Sequence, residues 1–332
     1  MQTCDTLLHA GVLLTQDDDR RVLENAALAI DGGRIVALGY SQDVTAAWQA
    51  REILDLSGML VMPGLVNAHT HAAMTFLRGL ADDMPLMDWL QQKIFPVEQG
   101  LTPDLVRLGS LLGFAEMLRT GTTSCVDMYI FEAAVLEAAD KAGLRCLAGE
   151  GVFNFPSACC PDADAALACT REMAQRWAGH DRLHVAVMPH SVYTTTAAQL
   201  TACRELADDL GLPLHIHLAE TRQETALSLE QYGLRPVAHA DRLGLLRPGT
   251  ILAHVVDVDA DEIALLARRG VSVVHNPSSN MKLASGVAPV PAMLDAGVRL
   301  ALGSDGAASN NRLNMFTEMG RAALLHKAAG DP

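Results

Sequence analysis

From Pro63 onward, short apolar runs alternate with helical patterns, and this alternation limits the fold more than any other feature of the sequence. The runs are Leu65–Ala68, Thr122–Asp127, Arg145–Ala148, His184–Met188, Leu214–His217, Ile251–Ala253, Val271–Val274 and Arg299–Leu302. Between most of them lie helical patterns. In Pro103–Arg119, for example, Leu105, Leu108, Leu112, Ala115 and Leu118 form one stripe and Gly121 supplies a stop. Further helices are expected at Glu132–Ala142, Ala163–Trp177, Ala197–Leu210, Thr221–Tyr232, Asp259–Arg269 and Arg312–Ala328. Eight strands alternating with helices predict an α/β fold, a (β/α)8 TIM barrel. A doubly wound open sheet competes, but no glycine-rich dinucleotide or phosphate-loop fingerprint follows any run.

Residues 1–62 have a different texture. Leu7–Thr15, Ala27–Ile30, Arg34–Gly39 and Met59–Met62 are apolar and β-rich, and Asp31-Gly32-Gly33 marks a hairpin between two of them. They predict a small β-sandwich-like layer outside the parallel sheet, ahead of a barrel over 63–332. Half of the 332 residues are apolar and only 19% are charged, so disorder is excluded. Charges of 25 − 39 = −14 argue against nucleic acid or an anionic membrane as partner. The start carries no targeting signal and no apolar run is long enough to span a bilayer, so a cytoplasmic location is expected. The seven cysteines are irregularly spaced. The adjacent Cys159–Cys160 pair raises a redox or metal site, but no CxxC partner accompanies it. Free thiols in a reducing cytoplasm account for the set.

Chemistry concentrates at the expected strand ends. His69 and His71 lie two apart at the end of the first run and so point to one side. His215 and His217 share a face of the fifth run; Glu220 follows His217 by three residues, where a carboxylate can serve as general acid and base over a metal. His215, deeper in the strand, reads as a packed residue behind the ligands. His190, His254 and Asp305 end the fourth, sixth and eighth runs. In this barrel class the C-terminal strand ends build the active site. None of the four lysines, Lys93, Lys141, Lys282 and Lys327, sits at a strand end to bridge two metals as a carboxylated side chain. One divalent metal is therefore expected. Imidazoles with one carboxylate favour Zn2+, with Fe2+ or Mn2+ also compatible.

The segments Pro63–Glu98, GTTSCVDMY, MPHSVYTTT, HIHLAET, NPSSNMKLASG and LGSDGAASNN together resemble the amidohydrolase superfamily. More narrowly, they resemble the 5-methylthioadenosine/S-adenosylhomocysteine deaminases and their neighbours, which include triazine hydrolases. The resemblance implies that His69, His71, His217 and Asp305 bind the metal. It makes Glu220 the proton shuttle and His254 the partner of the activated water. It also places Glu98 on the ribose hydroxyls and His190 against the substrate. It implies hydrolytic deamination of an adenosine-type nucleoside to the inosine analogue and ammonia. A triazine, guanine or cytosine hydrolase on the same site is the alternative, and a catalytically silent binding module is another. Met84 and Trp89 are candidates to wall the 5′ group. The sequence departs from the family twice. Glu150 stands where an arginine near the substrate is often found, and the chain stops at Pro332, where family members run on to complete the β layer. The small β layer and the family together point to a homo-oligomer.

Overall fold

The computed structural model describes residues 1–330. They divide into two units, residues 1–64 and the chain from Leu65 onward. The first unit is one four-stranded sheet of order β3-β2-β1-β4, with β1 Gln2–Leu14, β2 Val22–Asp31, β3 Arg34–Tyr40 and β4 Trp48–Val61. Gly32 and Gly33, both at positive φ, close the expected hairpin between β2 and β3. The layer lies outside the barrel sheet as expected, and within it β1 and β4 run parallel from Gln2↔Trp48 to Leu13↔Val61. One expectation needs correction: the fourth strand is far longer than Met59–Met62. Its residues are mostly exposed and partly charged, so no apolar pattern marks its beginning.

The second unit carries the eight parallel strands. These are β5 Leu65–Thr70, β6 Thr122–Tyr129, β7 Arg145–Val152, a fourth strand in two pieces (β8 Leu183–Val185 and β9 Met188–Pro189), then β10 Leu214–Leu218, β11 Thr250–His254, β12 Ser272–His275 and β13 Arg299–Leu302. Two hydrogen-bonded arcs, β5-β6-β7-β8 and β10-β11-β12-β13, meet at both seams. At one seam the amides of His215 and His217 donate to the carbonyls of Val187 and His190; at the other, the amide of Asp305 donates to the carbonyl of His69 at 3.0 Å. The closing contact therefore joins two expected site residues directly.

Helix starts follow side-chain chemistry. Thr102 and Asp162 accept from the amides of Leu105 and Ala165, while Thr196 with Gln199 and Asp259 with Glu262 form capping boxes. Such caps contribute about 0.5–2 kcal/mol each. The last helix begins at Met315 rather than Arg312 because the Asn314 side chain accepts from Phe316 and Thr317. No helix among the described residues is long and apolar enough to cross a membrane.

Candidate active site

The strand ends bring His69, His71, His217, His254 and Asp305 together. Asp305 Oδ1 lies 3.2 Å from His69 Nε2 and 3.0 Å from His71 Nε2. His71 Nε2 lies 3.4 Å from His217 Nε2. The ligand atoms of His69, His217, His254 and Asp305 all fall within 4.8 Å of one another. Every one of these side chains except His71 is buried.

Each ring is turned by a contact at its other nitrogen. His71 Nδ1 donates to the carbonyl of Met128, and His217 Nδ1 donates to the carbonyl of His190 at 2.8 Å. His69 Nδ1 meets His215 Nε2 at 2.8 Å, so His215 sits behind the cluster. A carbonyl oxygen can only accept, so the proton of a neutral His71 or His217 is on Nδ1, and Nε2 offers a lone pair. Nε2 of His71 and Nε2 of His217 face each other at 3.4 Å, and Nε2 of the buried His69 and Oδ1 of Asp305 point into the same space. Three nitrogens and a carboxylate oxygen converging on one point are the donors a cation needs. The spacing also fits, because bonds of about 2.0 Å in a tetrahedron set nitrogens about 3.3 Å apart. The residues present therefore fit a divalent metal ion.

The electrostatics agree. Burial would raise the pKa of Asp305, but the His69 and His71 rings beside it hold its carboxyl well below the usual range. Burial lowers His69 to about 4, and it drives His215 and His217 well below the ordinary imidazole value. Burial would also lower His71, but the hydrogen bond and charge of Asp305 prevail and raise it to about 9. A cation competes for the place of that proton.

Asp305 Oδ2 is held by the hydroxyls of Ser279 at 2.6 Å and Ser309 at 2.7 Å, which leaves Oδ1 facing the rings. His254 Nδ1 donates to Asn280 Oδ1 at 2.8 Å and lies 3.7 Å from Glu220 Oε1. Glu220 is 3% exposed, and Ser285 Oγ donates to it at 3.1 Å. Burial raises its pKa, which favours the protonated acid. Glu224 accepts from the amides of Ala219 and Glu220, fixing the turn that presents Glu220.

The backbone is bent at the same places. Ala219, His254, Val255 and Asp305 all adopt positive φ, between 47° and 75°. Such non-glycine conformations cost of order 1–3 kcal/mol each and persist only where the surroundings enforce them. Gly303 is needed for a different reason: a Cβ there would lie 2.9 Å from both the Cβ and the carbonyl oxygen of His69.

Beside the cluster opens a pocket with about 600 Å³ of atom-free space. Glu98 and Tyr129 line it, as do Glu220, His190 and Tyr193. Leu86, Trp89, Leu90, Ile94, Phe95 and Phe153 form apolar walls. Burial raises Glu98 to about 7, against the lowering effects of Tyr129 and His71. The buried Tyr129 hydroxyl lies against the Glu98 carboxyl in the pocket wall. His190 packs at 4.9 Å on Phe153, with burial lowering its pKa to about 3. Met84 does not line the pocket; it packs against the hydrophobic core. Glu150 does not line it either. Its carboxyl accepts from the amides of Phe131 and Glu132, at 3.1 and 2.9 Å.

Sequence reasoning assigned no role to Ser279, Asn280, Ser285, Ser309, Glu224 or Tyr129. Asn280 and Ser279 stand in the NPSSNMKLASG segment. Two asparagines and three serines packed into that segment were the only signal.

A family model described as "Amidohydrolase family" matches residues 60–331. A 5-methylthioadenosine/S-adenosylhomocysteine deaminase from Desulfovibrio desulfuricans is 64% identical, over 100% of this chain and 76% of its own length. An adenosine deaminase from Xanthomonas campestris, solved with bound zinc, superposes with a TM-score of 0.97 at 43% identity, over 99% of this chain and 75% of the other. An atrazine chlorohydrolase from Arthrobacter aurescens, complexed with zinc, superposes with a TM-score of 0.90 at 25% identity, over 98% and 77%.

Proposed function

The chain belongs to the amidohydrolase family, and from that premise we propose that it hydrolytically deaminates adenosine-type nucleosides. 5′-Methylthioadenosine and S-adenosylhomocysteine are its named substrate class. The reaction converts the adenine ring to the hypoxanthine ring and releases ammonia. One observation carries the reading within the family: a buried carboxyl, Glu220, sits at the metal-ligand cluster, while a second, Glu98, lies with the Tyr129 hydroxyl in the wall of the same pocket. The first suits an aromatic ring nitrogen and the second suits a vicinal diol.

His69, His71, His217 and Asp305 would hold the metal, and the set of three imidazoles and one carboxylate supports zinc. When bound, such an ion supplies a water acidified toward a pKa of about 7, a nucleophile at neutral pH. The chain's own groups do the rest. Asp305, clamped at Oδ2 by two hydroxyls, keeps Oδ1 at the cluster, where it would help hold the ion and would serve as base toward an attacking water. His254 carries its proton on Nδ1, against Asn280, so its Nε2 lone pair accepts a hydrogen bond and aims the water. Burial raises the pKa of Glu220 and so favours its acid form, which donates a proton to the ring nitrogen next to the amino-bearing carbon. That carbon becomes electrophilic as the nitrogen takes the proton. A carboxyl group then returns a proton to the departing amine. General acid and base help of this kind is worth roughly 10²–10⁴-fold.

Glu98 receives the two ribose hydroxyls, which favours a nucleoside over a free base. The apolar walls formed by Leu86, Trp89 and Phe95 suit the thioether that 5′-methylthioadenosine and S-adenosylhomocysteine share at the 5′ position. The test is loss of the adenine absorbance band on incubation with 5′-methylthioadenosine, S-adenosylhomocysteine, adenosine and guanine. Turnover of the nucleosides but not of guanine is expected. Glu220→Gln should abolish turnover while the protein keeps its metal, and normal deamination by that variant overturns the proton-shuttle role.

A further inference from the structure

The adjacent cysteines Cys159 and Cys160 lacked a partner by spacing alone, and the fold provides two. Glu150 near the end of β7, Cys159 and Cys160 place a carboxylate oxygen and two sulfurs within 4.8 Å of one another. Cys169, on the helix Ala163–Arg176, packs at half-buried depth beside the same two thiols and is the nearest candidate for a fourth donor. We propose that Glu150, Cys159, Cys160 and Cys169 form a second metal site, for a thiophilic divalent ion such as zinc, separate from the histidine cluster.

Four arguments support it. The donor set is that of a tetrahedral thiolate-rich centre. With metal–sulfur bonds of about 2.3 Å, such a centre sets its sulfurs about 3.8 Å apart, inside the 4.8 Å within which the Glu150, Cys159 and Cys160 donors fall. The loop is prepared rather than slack: the amide of Ser157 donates to the carbonyl of Cys160, and the amide of Cys160 returns to Ser157 Oγ, both at 2.9 Å. Asp162 then caps the helix that carries Cys169. Burial is graded, with Glu150 and Cys160 buried and Cys159 and Cys169 half-buried, so an ion can enter from solvent and finish out of it. Glu150 also costs free energy where it is. It is fully buried, and burial holds its pKa well above the usual carboxyl range. An ion offers the ionised form a partner.

On binding, each ligating thiol and the Glu150 carboxyl release a proton to solvent as sulfur or oxygen bonds the ion. Three thiolates and one carboxylate around a dication leave a net charge of −2. The amides of Phe131 and Glu132, which point at Glu150 from the start of the helix Glu132–Ala142, offset part of it. The occupied site would tie β7, the following loop and the next helix together. That loop begins with Phe153 and Phe155, which pack on Phe95 at the pocket wall.

The test uses cobalt(II) as the probe, because thiolate ligation gives a charge-transfer band in the near ultraviolet that imidazole and carboxylate ligation do not. Cobalt-loaded wild-type protein should show this band and hold one ion more than the histidine cluster accounts for. His69→Ala should lose the cluster's ion and the activity but keep the band. Cys160→Ser and Cys169→Ser should each lose the band and one ion per chain. Wild-type protein that fills with a single ion and shows no thiolate band overturns the proposal, whatever the variants do and whether or not the protein deaminates nucleosides.

Discussion

Replacing Glu98 with glutamine isolates one carboxylate at the pocket wall, and the structure sets how much should be lost. Glu98 is 9% exposed, and burial has raised its pKa to about 7. Above that pH the carboxylate accepts both ribose hydroxyls, whereas the amide keeps one acceptor and turns the other into a donor. One charge-assisted hydrogen bond is lost, worth about 1.5–3 kcal/mol. At about 1.4 kcal/mol per decade, kcat/KM for 5′-methylthioadenosine should fall roughly 10- to 140-fold at pH 8. The assay pairs that substrate with its 2′-deoxy analogue. Wild-type protein should prefer the diol, and Glu98→Gln should shrink the preference by about the factor it loses on the diol substrate. The pH dependence has a definite sign. Lowering pH through about 7 protonates Glu98 and removes an acceptor, so wild-type KM should rise below pH 7 and the variant should lose that limb. The folded state holds this proton more tightly than the unfolded chain, so the carboxyl's contribution to stability falls as pH rises from about 4.5 to 7. Glu98→Gln should therefore be at least as heat-stable as wild type at pH 8. Equal losses on both substrates, or an unchanged low-pH limb, would refute the diol assignment.

Asn280→Ala should free His254 Nδ1 and lower kcat roughly 10- to 100-fold with little change in KM; steady-state kinetics on 5′-methylthioadenosine read this directly. Gly303→Ala should force its new methyl against His69 and destabilise the fold by about 1–3 kcal/mol, seen as a lower Tm and weaker metal retention. Stripping the metal with a chelator should abolish activity and lower the Tm. An ion present at about 1,000 times its Kd contributes about 4 kcal/mol, and zinc should restore both properties.

The barrel was legible because its strands are short apolar runs, five of them ended by a site residue, and its helices announce themselves with caps such as Thr102 and Asp259. The cluster was legible for a related reason: histidines and aspartate at successive strand ends share one rim by symmetry of the fold. What the sequence concealed has other causes. Strand β4 is mostly exposed, so nothing apolar marks Trp48 as its start. The fourth barrel strand breaks into two pieces between Val185 and Met188, where the amide of Val187 turns to the carbonyl of Pro213 beside the next strand. Ser279, Ser309 and Asn280 act through hydrogen bonds to Asp305 and His254, and small polar residues of that kind look the same in any loop. Met84 and Trp89 are both apolar and close in sequence, yet only Trp89 faces the pocket, because pattern does not fix direction in irregular segments. Cys169 joins Cys159 and Cys160 only through the turn that reverses the chain between β7 and its helix.

The central claim is that this rim removes the amino group of an adenine nucleoside by hydrolysis. Its most direct test is product analysis of the zinc-loaded protein incubated with 5′-methylthioadenosine. Ammonia and 5′-methylthioinosine should form one for one. A fully metallated protein that releases no ammonia from 5′-methylthioadenosine, S-adenosylhomocysteine or adenosine would contradict the account.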